Sequence, residues 1–195
     1  KNWAVWLPDY LKAFPDQQDV LRYVLTATAP ETKDNDFTWK DFQARNNNEL
    51  VAVYGNFINR VLVLTHKYYS GKVPQLKELT GADKGVLGEL STMPKEIQQS
   101  LERFRFREAS QILMNLARSG NKYLADEEPW KVIKTNPERV QTIMYTALQI
   151  ASGLSVLSEP FLPHTAEKLQ KMLRLDPTPS WKDVRQGHTL LASGH

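Results

Sequence analysis

The stretch VAVYGNFINRVLVLTHKYYSGKVP, residues 51–74, is among the most apolar and helix-patterned parts of the chain. Yet Gly55, Asn56, Asn59 and Arg60 sit at its middle. Glycine costs a helix interior about 1 kcal/mol relative to alanine, and asparagine is also a poor helix former. Local packing or a task must compensate. At about 100° per residue, Leu50, Tyr54, Phe57, Val61, Leu64 and Tyr68 fall within roughly 40° of one line, the predicted buried face. Asn56 then lies about 120° and Arg60 about 80° from that line. Being four apart, the two project side by side along the border of the core. Glu49 and Lys67 share the strip, and Gly55 leaves room for another backbone to come close. An amide and a rigid guanidinium fork suit the edge of a nucleobase or a phosphate. They also suit a tie to a neighbouring helix, or an ion pair between Arg60 and acids near Glu49. Spacing alone favours the tie, because such residues border the core of most helical proteins.

Outward from this stretch, strand signals are scarce. Thr38 is placed to cap a long helix that starts at Trp39 and Phe42, continues to Tyr69 and ends at Gly71 and Pro74. Upstream, Trp3, Trp6 and Leu7 have helical spacing until Pro8 interrupts. Residues 17–30, QQDVLRYVLTATAP, read as a helix with Val20, Leu21, Val24 and Leu25 inward, stopped by Pro30. Downstream, Leu76 to Pro94 holds Gly81, Gly85 and Gly88 and reads as short helical pieces. Pro94 then opens a helix that runs to Ser119 and stops at Gly120. EEPW, residues 127–130, makes a bend. Asn136-Pro137-Glu138 combines a cap, a first-turn proline and an early acid, and the helix after it buries Val140, Ile143, Met144, Ala147, Ala151 and Leu154. EPFLPH breaks it, a short helix carries Leu169, Met172 and Leu173, and the tail is irregular with Trp181 as its anchor. The predicted fold is all-α, an antiparallel helix bundle.

A second oddity is LERFRFREAS, residues 101–110. Read as helix, Phe106 aligns with Ala109, Leu113 and Leu116, while Phe104 points almost oppositely, near Ile97 and Leu101. Such a helix is either central, with snorkelling arginines, or offers one face as a platform. Aromatics interleaved with arginines suit stacking and phosphate neutralisation along single-stranded RNA. The central-helix reading is the simpler one.

The chain has 195 residues, 41% hydrophobic and 24% charged, enough for one generous soluble domain. No apolar run is expected to reach the roughly 20 residues that cross a bilayer. Lys1 is not an initiator methionine, so the chain reads as a fragment or processed product. Without cysteine there is no disulfide or thiolate metal site. A net charge of +3 permits a polyanionic partner without demanding one. There is no phosphate-binding glycine loop and no His-Glu-x-x-His; His66, His164, His188 and His195 are scattered, and His164 reads as a helix start. The carboxylates of ETKDNDFTWKD cluster in a loop, without a pocket that general acid–base work would need.

Residues 39–74, WKDFQARNNNELVAVYGNFINRVLVLTHKYYSGKVP, strongly resemble the start of the anticodon-binding helical domain of methionyl-tRNA synthetases. Residues 104–134, FRFREASQILMNLARSGNKYLADEEPWKVIK, resemble its later helices. The opening KNWAVWLPDYL and VLRYVLTATAPETKDNDFTW are similar to the stem-contact segment after the Lys-Met-Ser-Lys-Ser loop. The resemblance implies residues 1–38 as stem-contact linker, 39–175 as anticodon-binding bundle and 176–195 as a tail packed on it. It implies a cytoplasmic ligase that loads methionine onto its tRNA, with ATP, magnesium and zinc held by catalytic parts upstream and no cofactor or membrane contact here. A homodimer would form only through regions outside this chain. The family's Asn and Arg, four apart on the first long helix, fall on Asn56 and Arg60, which are then expected to contact the CAU anticodon, chiefly its first base. Many members stack a later tryptophan on an anticodon base. That position aligns with Leu101, which cannot stack as an indole does, so either Phe104 replaces it or this branch reads the base differently. The reading from another class is a non-catalytic helical module that docks a partner protein.

Overall fold

Capping and apolar spacing make residues 38–71 one rod, but a rod of two widths. In the computed structural model, which describes residues 4–32, 34–187 and 189–195, α3 (Trp39–Arg45) begins at Thr38, whose hydroxyl accepts from the Asp41 amide at 3.1 Å. The turns then widen into a π-helical segment, Asn46–Gly55, before α4 (Asn56–Tyr69) resumes the ordinary pitch. Gly55 belongs to this widening. A Cβ there would stand 3.1 Å from the Leu50 carbonyl, five residues back, so its close neighbour is its own helix's backbone. A π turn also shifts the phase of the helix beyond it. The fully buried residues are therefore Tyr54, Phe57, Ile58, Val61 and Thr65, while Leu50, Leu64 and Tyr68 are only half-buried. The rod ends with Ser70 and Gly71 at positive φ.

Trp3 lies outside the described residues. Pro8 starts helix α1 (Leu7–Ala13) instead of interrupting one, and α2 (Gln18–Ala27) buries Asp19, Tyr23 and Val24 while Leu25 stays exposed. The segment with three glycines is not a set of short pieces. It is α5 (Gly81–Glu102), one helix running through Pro94. A capping box between Thr80 and Asp83 starts it, and Val86, Leu90, Pro94 and Ile97 are buried along it, against α6 and α8. That burial outweighs the local cost of glycine and proline, since each buried aliphatic side chain contributes roughly 1.5–3 kcal/mol.

The expected continuity through RFRFR fails. The Phe104 amide bonds the Leu101 carbonyl at 3.0 Å and the Arg105 amide bonds the Ser100 carbonyl at 2.8 Å, a Schellman closure with Phe104 at φ 59° where glycine is usual. Helix α6 (Phe106–Glu127) then runs on through Gly120, where a Cβ would fall 2.6 Å from the Phe57 ring. Gly120 thus allows α4 and α6 to approach closely and does not end the helix.

Helix α7 (Pro129–Val132) is a single turn. Helix α8 (Pro137–Leu157) is the central rod, capped by the Asn136 side chain on the Arg139 amide at 3.0 Å and buried at every residue from Thr142 to Leu157. It is long and apolar enough to cross a membrane, contrary to the expectation from sequence, but 94% of its apolar window is buried inside the bundle. Helix α9 (Pro163–Met172) is capped from α2: the Asp19 carboxylate accepts from the amides of His164 at 3.3 Å and Thr165 at 2.6 Å. The tail forms α10 (Trp181–Arg185), with Val184 and Leu191 more deeply buried than Trp181, and the Gln149 side chain bonds the backbone of Leu190 and Leu191. No strand occurs among the described residues.

Candidate nucleic-acid interface

Asn56 is the first residue of α4 after the widened segment, and its side chain is exposed. Its Nδ2 donates to Oδ1 of Asn121 on α6 at 2.8 Å. Asn121 in turn donates to the Val53 carbonyl at 2.8 Å and to the Ala117 carbonyl at 3.1 Å. The tie between helices is real, then, but it uses one edge of the Asn56 amide and leaves its oxygen without a protein partner among the described residues. Arg60, one turn further, is half-buried with its guanidinium 5.0 Å from the centre of the Trp130 ring. No carboxylate takes its N–H groups among the described residues, so the expected alternative of an ion pair near Glu49 is not what forms. Glu49 is instead engaged by Arg45 at 3.4 Å and by the Tyr23 hydroxyl. Burial, followed by that carboxylate, raises the Tyr23 pKa and keeps its hydroxyl protonated. Lys67, the other member of the strip, lies over the Tyr68 ring at 5.4 Å.

A cleft of about 960 Å³ opens beside Asn56, lined by apolar Leu50, Ile58, Leu62 and Leu169 and by polar Asn46, Asn59 and Lys168. Beneath the strip, Tyr54 is buried and its hydroxyl meets Ser158 Oγ at 3.1 Å; burial pushes its pKa up to about 12. The Tyr54 hydroxyl beneath the site therefore stays protonated and neutral, while Asp19 and Lys168 bring charge to the cleft lining.

The four residues singled out from sequence do not converge. Asn56 and Arg60 are adjacent, meeting the far end of α6 and α7. Leu101 and Phe104 sit at the α5–α6 turn, where Leu101 lines a separate apolar cleft with Leu7, Leu11, Leu25 and Phe106. Phe106 and Asn121 are about 22 Å apart along α6 at 1.5 Å per residue, so neither Leu101 nor Phe104 reaches Arg60. Phe104 is 74% exposed and packs edge-on against Phe106. The aromatic ring beside Arg60 is Trp130, and sequence reasoning missed it. Its signal was a Pro-Trp pair inside the polar run EEPWK, read only as a bend. No three His, Asp or Glu side chains converge to hold a metal among the described residues.

Residues 73–195 match the family model of the anticodon-binding domain of methionyl tRNA ligase, well over half of the chain. The chain belongs to the methionyl-tRNA ligase family. Residues 1–62 match the model of the class I tRNA synthetases specific for methionine. Methionine–tRNA ligase of Flavobacterium psychrophilum is 66% identical over 195 residues, covering 100% of this chain and 28% of the relative. That of Christiangramia forsetii is also 66% identical, covering 100% and 29%. The chain thus spans less than a third of these curated ligases. Mycobacterium tuberculosis methionyl-tRNA synthetase in complex with methionyl-adenylate superposes with a TM-score of 0.85 over 97% of this chain and 37% of that one, at 21% identity, which supports the all-α bundle.

Proposed function

We propose that this chain is the tRNA-reading region of a methionine–tRNA ligase, and that Asn56, Arg60 and Trp130 form the edge that receives the first base of the CAU anticodon. One observation carries the reading: the Arg60 guanidinium lies against an aromatic face with its N–H donors unclaimed, one turn from an exposed amide. An unpaired base can be hydrogen-bonded on its edge and stacked on an aromatic ring or guanidinium plane, which is how single-stranded RNA loops are recognised. In this reading Trp130 is the stacking group, and Leu101 needs no substitute. Residues 1–38 act as linker, with Asp19 fastening them to α9, and 176–195 as the packed tail. Joining methionine to tRNA, with ATP and metal ions, belongs to the part of the cytoplasmic ligase that this chain does not span. The partner-protein reading has no comparable support, since the matched family model is described by anticodon binding.

The test is aminoacylation by the full-length ligase carrying Arg60→Ala. Loss of a base-edge fork costs about 1–3 kcal/mol, so kcat/KM for the CAU tRNA should fall roughly 5- to 150-fold and preference at the first base should relax. An unchanged kcat/KM with unchanged base preference overturns the assignment.

A further inference from the structure

We infer that Asn121 is a positioning residue that locks the Asn56 amide in one orientation and thereby sets cytosine-over-uracil preference at the first anticodon base. The inference rests on the base-reading role proposed for Asn56 and Arg60. Its evidence is a chain of hydrogen bonds with only one consistent direction. Asn121 Nδ2 has two hydrogens, and both go to main-chain carbonyls: Ala117 one turn back at 3.1 Å, and Val53 across the helix interface at 2.8 Å. A carbonyl can only accept, so the end of Asn121 that meets them must be the NH2. Its Oδ1 therefore faces α4, and only the NH2 of Asn56 can satisfy it, at 2.8 Å. Asn56 Oδ1 is left without a protein partner among the described residues, on an exposed side chain.

The two carbonyls cannot be rearranged cheaply. Ala117 belongs to the buried face of α6, and Val53 to the widened segment that Gly55 permits. Gly120, next to Asn121, seats α6 against Phe57, next to Asn56, which holds the two asparagines in register. The outcome is a displayed pattern: one fixed acceptor from Asn56, then a fork of donors from Arg60. Cytosine presents an amine at C4 and acceptors at N3 and O2, which matches that pattern. Uracil presents a carbonyl at C4 and an N–H at N3, placing oxygen against oxygen and donor against donor. An Asn56 free to turn over could offer its NH2 to uracil instead, and the discrimination would fade.

The experiment uses the full-length ligase and methionine tRNA transcripts with CAU or UAU anticodons, reading the ratio of the two kcat/KM values. That ratio does not change with the fraction of folded enzyme, so a destabilised variant remains informative. Asn121→Ala should lower the ratio about tenfold or more. Adding Asn56→Asp to that variant should restore most of it, because a carboxylate presents an acceptor whichever way it turns. A ratio within about twofold of native in Asn121→Ala, or a loss that Asn56→Asp does not restore, overturns the inference. Asn56→Ala and Arg60→Ala separate it from the reading beneath: if both keep the native ratio, base reading itself fails, whereas if both lose it and Asn121→Ala does not, only the positioning role fails.

Discussion

Two arginines flank the single turn α7, and their surroundings are opposites. Arg139 grips the fully buried Asp83 with two bonds, at 2.6 and 2.9 Å, and holds Glu127 at 2.7 Å with a further bond to Thr80 at 3.3 Å. Burial opposes its charge, and the bonds to Asp83 and Glu127 more than offset that, raising its pKa. Among the described residues, Arg60 has a ring beside it and no partner on its N–H edge. Charge does not distinguish the two, and neither does exposure alone. The difference is whether the donors are occupied. A guanidinium whose geometry is saturated by protein fastens helices; one oriented by a neighbour but without a protein partner keeps its donors open, which is what the proposed base-reading role needs. The Arg139 cluster joins the starts of α5 and α8 to the end of α6, away from the N–H edge of Arg60.

The largest effect should come from the saturated side. Replacing Arg139 by leucine strands a buried carboxylate, which typically costs about 3–5 kcal/mol. Denaturant unfolding should show that loss at pH 7, while the CAU/UAU ratio of the folded enzyme stays native. A loss below about 1 kcal/mol would place the cluster among surface ion pairs and dissolve the contrast. Its pH dependence comes from Asp83. Burial raises that carboxyl's pKa, but hydrogen bonds from Arg139, Tyr123 and Thr80 win and hold it below the usual range. A depressed acid adds stability above its unfolded pKa of about 4 and loses it as pH falls through the folded value. Without Arg139 the burial of Asp83 is opposed by fewer bonds and its folded pKa rises. The gap between variant and native should therefore begin to narrow above about pH 4 and go on narrowing as pH falls through the depressed native value.

An intermediate effect belongs to the frame that brings α4 and α6 together. Gly120→Ala would put a methyl 2.6 Å from the ring of Phe57, which is wholly buried and has little freedom to withdraw. Overpacking of this kind costs about 1–3 kcal/mol. It should also pull Asn121 from Asn56, so the variant should lose both unfolding free energy and part of the CAU/UAU ratio. If stability falls with the ratio untouched, the frame is not what orients the amide.

What could be read from residues alone divides along the range of the interactions. The rod from Thr38 to Gly71 and the start of α8 at Asn136 were legible because caps act within one turn. Asn56 and Arg60 were legible as a side-by-side pair bordering the core because four-residue spacing is also local. The widening at Asn46–Gly55 was not, since no residue type encodes a π turn, and it moved Ile58 and Thr65 inward at the expense of Leu50 and Leu64. Pro94 and three glycines misled because burial against α6 and α8 decides there, not propensity. Phe104 misled because the turn it occupies normally announces itself with glycine. Trp130 meets Arg60 across 70 positions of chain, so periodicity had nothing to say about it.

The smallest effect is the one that tests the contrast most sharply. Arg60→Ala removes a partly exposed cation from an aromatic face, an interaction that contributes about 0.5–1 kcal/mol. Among the described residues, no buried acid is left unpaired and no hydrogen bond is broken. Its unfolding free energy should therefore stay within about 1 kcal/mol of native, even as tRNA recognition falls. A loss of stability approaching that of Arg139→Leu would mean that Arg60 also fastens the fold, by way of Trp130. Its unclaimed donors would then be a by-product of packing, and the edge beside Asn56 would have to be read without them.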